Sequence, residues 1–335
     1  MMEQDNKTLS ETDIHEIVDI PMIGKKNVIL DATLLTSIMS CPRAADFRFN
    51  LNLESISGKS NSLECGSIVH KFMEVYYGSM IKGIKREQAF GFGIVAAELY
   101  IQSCPDCTDF VATPEQKKPK CGHKVNDYPG VKNTAKDSVA YATGWQFVLD
   151  TCDEYHRYYV NDHWVPLEVE TVKGEILYED DDVRIMWKAK LDLTADTNQG
   201  IFPIDHKTMK QRRDTLTLNN QFIGQCLLMR TRNVFINKIG FQKSLKAEEK
   251  FVRAPLSYSA ARLIEWQSEI LPFYAKQLLM YAECGYWPPN FNHCEGKYGN
   301  CNYVGVCQSN PDMREEELKL HFRVGPSWNP TNEDE

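Results

Sequence analysis

Apolar and polar positions along the chain follow first a helical period and then a strand period. Asp31 can cap a helix through Ala32–Ser40. Cys41 interrupts it, and Pro42 suits the start of a second short helix reaching about Asn50. Ser57–Ser62 reads as a small-residue loop. Gly66 then opens a helix with Ile68, Phe72 and Val75 or Tyr76 on one face. A further helix covers about Arg86–Gln102. Residues 103–137 break the period, being polar and rich in Lys and Pro, and read as an insertion before a long helix at Ser138–Val160. The period then changes to that of strands at Val165–Thr171, Val183–Leu193 and Gly200–Lys207, with a hairpin turn at Asp196–Gly200. A helix at Asn219–Arg230, strands at Val234–Gln242 and Phe251–Pro255, and a helix at Ser259–Cys284 complete the pattern. Residues 1–30 read as a ragged lead-in and Gly285–Glu335 as loop-like, with 311–335 as a C-terminal tail. The expectation is an α/β fold over 31–310, a mixed central sheet flanked by helices.

Composition narrows the function. Of 335 residues, 42% are hydrophobic and 25% charged, enough for a real core and too apolar for general disorder. The net charge, 38 − 46 = −8, excludes a wholly basic nucleic-acid coat protein but leaves room for local basic patches. No apolar run approaches the ~18–20 residues of a membrane span. Met1–Ile20 lacks the positive start and apolar stretch of a signal peptide. A cytoplasmic protein without membrane contact is expected, in a compartment that keeps thiols reduced. Eleven cysteines then point to metal or iron–sulfur ligation rather than disulfides.

The hairpin carries the most chemistry. Asp192 is read at the end of one strand and Asp205 at the end of the next, 205 − 192 = 13 residues on. Side by side, two carboxylates repel unless a cation sits between them. Hard oxygen ligands suit Mg²⁺ or Mn²⁺. Lys207, two residues after Asp205, points to the same sheet face. The bland alternative is two exposed turn acids and a surface lysine. His70, in Gly66-Ser-Ile-Val-His70, is either a core histidine or a ligand beside the aspartates. Gln221 and Gln225 share a helix face and could hold the lysine or a phosphate, or be exposed amides. Lys207, Lys210, Arg212 and Arg213 put four cations in seven residues, a solvated face or a phosphate-gripping loop.

The order G-x-x-x-H, an aspartate in a strand, D-x-K and a Gln-bearing helix resembles the RecB-type branch of the PD-(D/E)XK nucleases, which includes CRISPR-associated iron–sulfur exonucleases, the AddB nuclease domain and phage exonucleases. The match runs from about Leu34 to Cys307. The resemblance implies a restriction-endonuclease-like core. It implies His70, Asp192 and Asp205 as ligands of Mg²⁺ or Mn²⁺, a backbone carbonyl from His206, Lys207 as the catalytic lysine, and Gln221 as a member of the site. The family's helix usually reads Gln-x-x-x-Tyr, whereas this chain has Gln221-Phe-Ile-Gly-Gln225. The implied function is a metal-dependent deoxyribonuclease, an exonuclease of DNA recombination, repair or replication. Its partners would be DNA and a helicase or recombination protein. The rival is a non-catalytic iron–sulfur DNA-binding subunit of a helicase–nuclease complex. The intact set His70, Asp192, Asp205 and Lys207 argues against that rival.

Two cysteine groups stand apart from the hairpin. Cys294-x6-Cys301-x5-Cys307 lies in a Gly- and Asn-rich stretch, with Cys41 of Ser40-Cys-Pro-Arg43 as the natural fourth ligand. Iron–sulfur relatives place one cysteine before the G-x-x-x-H helix and three after the last helix, which implies a 4Fe–4S cluster joining the N- and C-terminal segments. The best-known members have C-x2-C where this chain has C-x6-C. Cys104, Cys107, Cys121 and His123, in the insertion, have the spacing of a zinc knuckle, the alternative being a flexible loop with incidental thiols. Cys65, Cys152, Cys226 and Cys284 are read as core.

Overall fold

The computed structural model describes residues 26–56, 61–102, 145–209, 218–241, 245–296 and 299–328. The zinc-knuckle residues Cys104, Cys107, Cys121 and His123 lie outside the described residues, as do Lys210, Arg212 and Arg213. In chain order the elements are β1 (Lys26–Leu30), α1 (Ala32–Ser40), α2 (Pro42–Ala45), β2 (Leu53–Ser55), α3 (Asn61–Ile81), α4 (Arg86–Gln102), α5 (Gln146–Tyr158), β3 (Val165–Glu179), β4 (Val183–Thr197) and β5 (Gly200–Met209). They continue with α6 (Asn220–Leu228), β6 (Asn233–Gly240), α7 (Ala247–Lys250), β7 (Phe251–Ser257), α8 (Ala260–Glu265), α9 (Leu271–Cys284), β8 (Glu295–Gly296), β9 (Gly299–Asn300), α10 (Val304–Gln308), α11 (Arg314–His321) and β10 (Phe322–Val324). Among the described residues no helix is long and apolar enough to cross a membrane.

The described residues form two units. One takes those up to Ile56, Gly174–Lys188 and those from Ile264 onward; the other takes those up to Lys173 from α3, and Ala189–Leu263. The strand stretches in the second unit build a mixed sheet. β4 runs antiparallel to β5, with Leu193 opposite Ile204 and Thr197 opposite Gly200. β5 runs parallel to β6, with α6 in the crossover, as parallel neighbours require. β6 runs antiparallel to β7. The apolar face expected on α3, with Ile68, Phe72 and Tyr76, is buried with Val148, Cys152 and Tyr155 of α5 and Leu193, Ala195 and Ile204 of the sheet. α3 and α4 approach closely at Gly93, where an added Cβ would fall 2.9 Å from the Phe72 ring. Gly inside a helix is otherwise unfavourable by ~1 kcal/mol against Ala.

In the other unit, β1 pairs in parallel with Val183–Trp187 of β4. The lead-in expected over residues 1–30 therefore ends in a strand. Its run Val28-Ile29-Leu30 is too short to display a period. The loop-like C-terminal reading is also corrected. α10, α11 and β10 are ordered elements, and β10 pairs antiparallel with β2. Phe47, Leu53, Tyr303, Val306 and Phe322 make a small core there. The long helix expected at Ser259–Cys284 runs unbroken from Ala260 to Cys284, winding wider as a π-helix at Trp266–Ile270. Pro272, near the start of α9, lacks the N–H that a regular α-helical turn would need, and the widened turn lies just before it. α9 ends at Gly285 with φ 63°, a left-handed stop that glycine accepts without a Cβ clash. Cys65, Cys152 and Cys226 are buried, but Cys284, in the last turn of α9, is exposed.

Candidate functional site

The hairpin brings the expected residues together, by longer strands than the sequence pattern implied. Asp192 and Asp205 lie inside β4 and β5 rather than at their ends. With Leu193 opposite Ile204, the register carries Asp192 across from Asp205. Strand alternation sends Asp205 and Lys207 to one face and His206 to the other. The Lys207 Nζ forms an ion pair with Asp205 Oδ2 at 2.7 Å. Gln221 completes a closed triangle. Its Nε2 donates to Asp205 Oδ1 at 2.7 Å, and its Oε1 accepts from Lys207 Nζ at 3.2 Å. Asn219 caps α6, its side chain accepting from the Gln221 N–H at 2.8 Å, which fixes Gln221 in the first turn. Gln225, one turn on, is buried and does not share that role.

Asp192 Oδ2 accepts the His206 backbone N–H at 2.8 Å. His70, on α3, donates from Nε2 to the His206 carbonyl at 3.0 Å, leaving Nδ1 facing Asp192 Oδ2 at 3.7 Å and Glu170 Oε1 at 3.9 Å. The His206 carbonyl, implied as a metal ligand, is thus held by His70 here. His70, Glu170 and Asp192 offer ligand atoms that all lie within 4.8 Å of one another. Glu170 was missing from the sequence reading. It sits in β3 at φ 49°, where few non-glycine residues go. Its Oε2 meets Lys190 Nζ at 2.9 Å. In the strand pattern nothing separates it from Glu168, which pairs with Lys173 at 2.8 Å.

The electrostatics describe a pocket of opposed charges. Burial and the neighbouring Asp205 push the Asp192 carboxyl up to about 7. Burial disfavours the His70 imidazolium, but Glu170, Asp192 and Asp205 outweigh it and raise His70 to about 9. Burial works against Glu170, yet its bonds to His70 and Lys190 hold its carboxyl below the usual range. Lys207 is raised in spite of its burial because Asp205 and Asp192 stand beside it. One imidazole nitrogen and two carboxylates that repel across a narrow gap make a donor set that fits a hard divalent cation.

In the other unit, Cys41, Cys294, Cys301 and Cys307 line one small cavity together with Phe47, Asn290 and Tyr303. The Asn290 N–H approaches Cys41 Sγ at 3.3 Å, and Cys301 N–H donates to the Cys294 carbonyl at 2.8 Å. Burial raises the Cys294 and Cys301 thiols, and the facing cysteines add to it. The four sulfurs are not gathered within the 4.8 Å that marks the carboxylate–histidine group. A single tetrahedral zinc, with Zn–S near 2.3 Å, would hold them about 3.8 Å apart.

No family model matches the sequence, and no curated protein matches it. Among solved structures the chain is similar to the protein named SSO0001, at 14% identity with a TM-score of 0.29, over 52% of this chain and 76% of the other. It is also similar to a protein named "Putative exonuclease" from Eubacterium rectale, at 10% identity with a TM-score of 0.38, over 80% of this chain and 86% of that one.

Proposed function

We propose that this chain is a metal-dependent deoxyribonuclease of the PD-(D/E)XK type, RecB branch, acting as an exonuclease in DNA recombination, repair or replication. The observation that carries this reading is the closed arrangement of Lys207, Asp205 and Gln221 beside His70, Glu170 and Asp192. When bound, Mg²⁺ or Mn²⁺ supplies Lewis acidity toward the scissile phosphate and an activated water. Asp192, Glu170 and His70 hold the ion, with Asp205 and the His206 carbonyl next to them. Asp205 and Gln221 fix the Lys207 ammonium so that its charge meets the phosphate where negative charge grows. Lys210, Arg212 and Arg213, directly after β5, grip flanking phosphates. A 4Fe–4S cluster on Cys41, Cys294, Cys301 and Cys307 acts as a staple without a redox role, and a zinc ion takes Cys104, Cys107, Cys121 and His123. A helicase or recombination protein is the proposed partner, and the cytoplasm the proposed location.

The test is cleavage of end-labelled single- and double-stranded DNA with Mg²⁺, with Mn²⁺ and with EDTA. Cleavage that requires metal and is lost in Asp192→Ala supports the reading. DNA binding without cleavage under all three conditions favours the non-catalytic subunit instead.

A further inference from the structure

His206 lies between two residues of the site, yet its ring points away from them into the core. There the ring is buried and stacked on Tyr77, with centroids 5.8 Å apart and planes 5° apart. Its Nδ1 lies 2.8 Å from the Asn237 side-chain amide. Asn237 is the residue beside His206 in the parallel β5–β6 register, and it is also buried. The same amide donates to the Tyr155 hydroxyl at 2.9 Å. Tyr155 meets the Tyr77 hydroxyl at 2.8 Å and accepts from Arg253 at 3.2 Å. Arg253 is anchored in turn. It makes two bonds of 2.7 Å to Asp162, and its guanidinium lies 3.8 Å from the Tyr159 ring centroid and 3.7 Å from that of Trp164.

Apolar side chains would fill this space at less cost, because buried polar groups stabilise only when all are partnered. What a polar chain adds is discrimination. Sliding β5 by one residue against β6 would turn the His206 ring to the other face and take from the buried Asn237 its His206 partner. Each stranded buried group costs ~1–3 kcal/mol.

We infer that Asn237 and Tyr155, anchored by Arg253, are positioning residues. They pin the His206 ring and so fix the register that sets the His206 carbonyl, Asp205 and Lys207 at the site. This rests on the nuclease reading for its catalytic consequence, and on the strand register alone for its structural one. Partners behind metal-site residues typically contribute 10–100-fold to metal affinity or activity.

The experiment compares wild type with Asn237→Leu, Asn237→Asp and Tyr155→Phe. It measures Mn²⁺ affinity by calorimetry, kcat on end-labelled DNA, DNA affinity in EDTA, and amide exchange along β5 and β7. Asn237→Leu should weaken Mn²⁺ binding and lower kcat by tenfold or more, with DNA affinity in EDTA within threefold of wild type. Its amides from Ile204 to Thr208 should lose protection while those of β7 keep theirs. Asn237→Asp cannot donate to the Tyr155 hydroxyl as the amide does, so its Mn²⁺ affinity should fall toward that of Asn237→Leu. If Asn237→Leu does not fold, Tyr155→Phe decides by the same readouts. A variant that melts earlier but keeps Mn²⁺ affinity, kcat and β5 protection well below its melting temperature overturns the inference. So does a uniform loss of protection over both strands. Wild-type protein that cuts no DNA would sink the nuclease reading alone, since the β5 exchange pattern still tests the register.

Discussion

The Glu170 carboxylate stands 3.9 Å from Nδ1 of His70, and it reaches there from a backbone at φ 49°. A bulky residue holds such a conformation at a cost of order 1–3 kcal/mol, and only where its surroundings over-determine it. Here the surroundings are the His70 ring and the Lys190 ammonium, which take one carboxylate oxygen each. The irregular backbone aims the carboxylate at the space that Asp192 also faces.

Glu170→Gln keeps the side-chain shape and removes the charge. Glu170 is the first of the groups that raise His70 against its burial. NMR titration of the His70 ring in metal-free protein should therefore show a fall of at least one unit from about 9. Mn²⁺ affinity should drop at least tenfold, as for the loss of a charged ligand. An unchanged His70 titration would mean that Glu170 acts on Lys190 alone.

Most of the sheet and its hairpin were legible because strands that surface at turns leave a two-residue period bounded by polar residues. The pairing of Asp192 with Asp205, and of Asp205 with Lys207, followed from that period. Glu170 was not legible, since a positive φ leaves no mark on a glutamate in a strand rich in acids. Nor was the inward role of His206. Alternation placed its ring opposite Lys207, but only the β6 register reveals Asn237 beside it. The irregular turn before Pro272 could have been read, because Pro inside a helical pattern distorts it. The strand at Lys26–Leu30 could not, because its partner is 157 residues away (183 − 26).

Metal binding should depend steeply on pH. Free of metal, Asp192 has its carboxyl raised to about 7 and His70 is raised to about 9. Both must release protons to hold a cation. Below about 7 a bound ion displaces protons from both, and between about 7 and 9 mainly from His70. Apparent Mn²⁺ affinity should then rise roughly tenfold per pH unit in the upper window, and more steeply below it. The metal-free fold should show the opposite trend. Both groups bind their protons more tightly folded than unfolded, so their contributions to stability fall as pH rises, Asp192's from about 4 to 7 and His70's from about 6.5 to 9. Melting temperatures with and without Mn²⁺ should diverge as pH increases, and parallel curves would count against these ligands.

Lys207 and Gln221 should separate in their effects. Lys207→Ala removes the charge that meets the phosphate and strands the buried Asp205 beside Asp192. Cleavage should fall ~10²-fold or more. Gln221→Ala leaves the ammonium on Asp205 at 2.7 Å but removes its second tether and the amide donor to Asp205 Oδ1. A smaller fall of roughly tenfold is expected, with DNA affinity in EDTA near wild type. Equal losses for the two variants would show that Gln221 does more than orient the lysine.

The cysteine cavity offers a test that does not depend on cleavage. Cys41 comes from the end of α1, while Cys294, Cys301 and Cys307 lie between α9 and the end of α10. The stretch that carries the last three has a small core of its own, Tyr303 and Val306 against Phe47 and Leu53, so it is not held by ligation alone. Cys307→Ser should therefore lower the melting temperature without unfolding the unit. If the four sulfurs hold a cluster, anaerobically purified wild type is brown, absorbs near ~400 nm and carries about four irons per chain. Cys307→Ser should be bleached, and DNA cleavage in the other unit's site should persist at temperatures where the variant remains folded. Colourless protein with one zinc per chain would keep the ligands and replace the cofactor. Colourless protein without metal, melting as Cys307→Ser does, would leave four reduced thiols around an empty cavity.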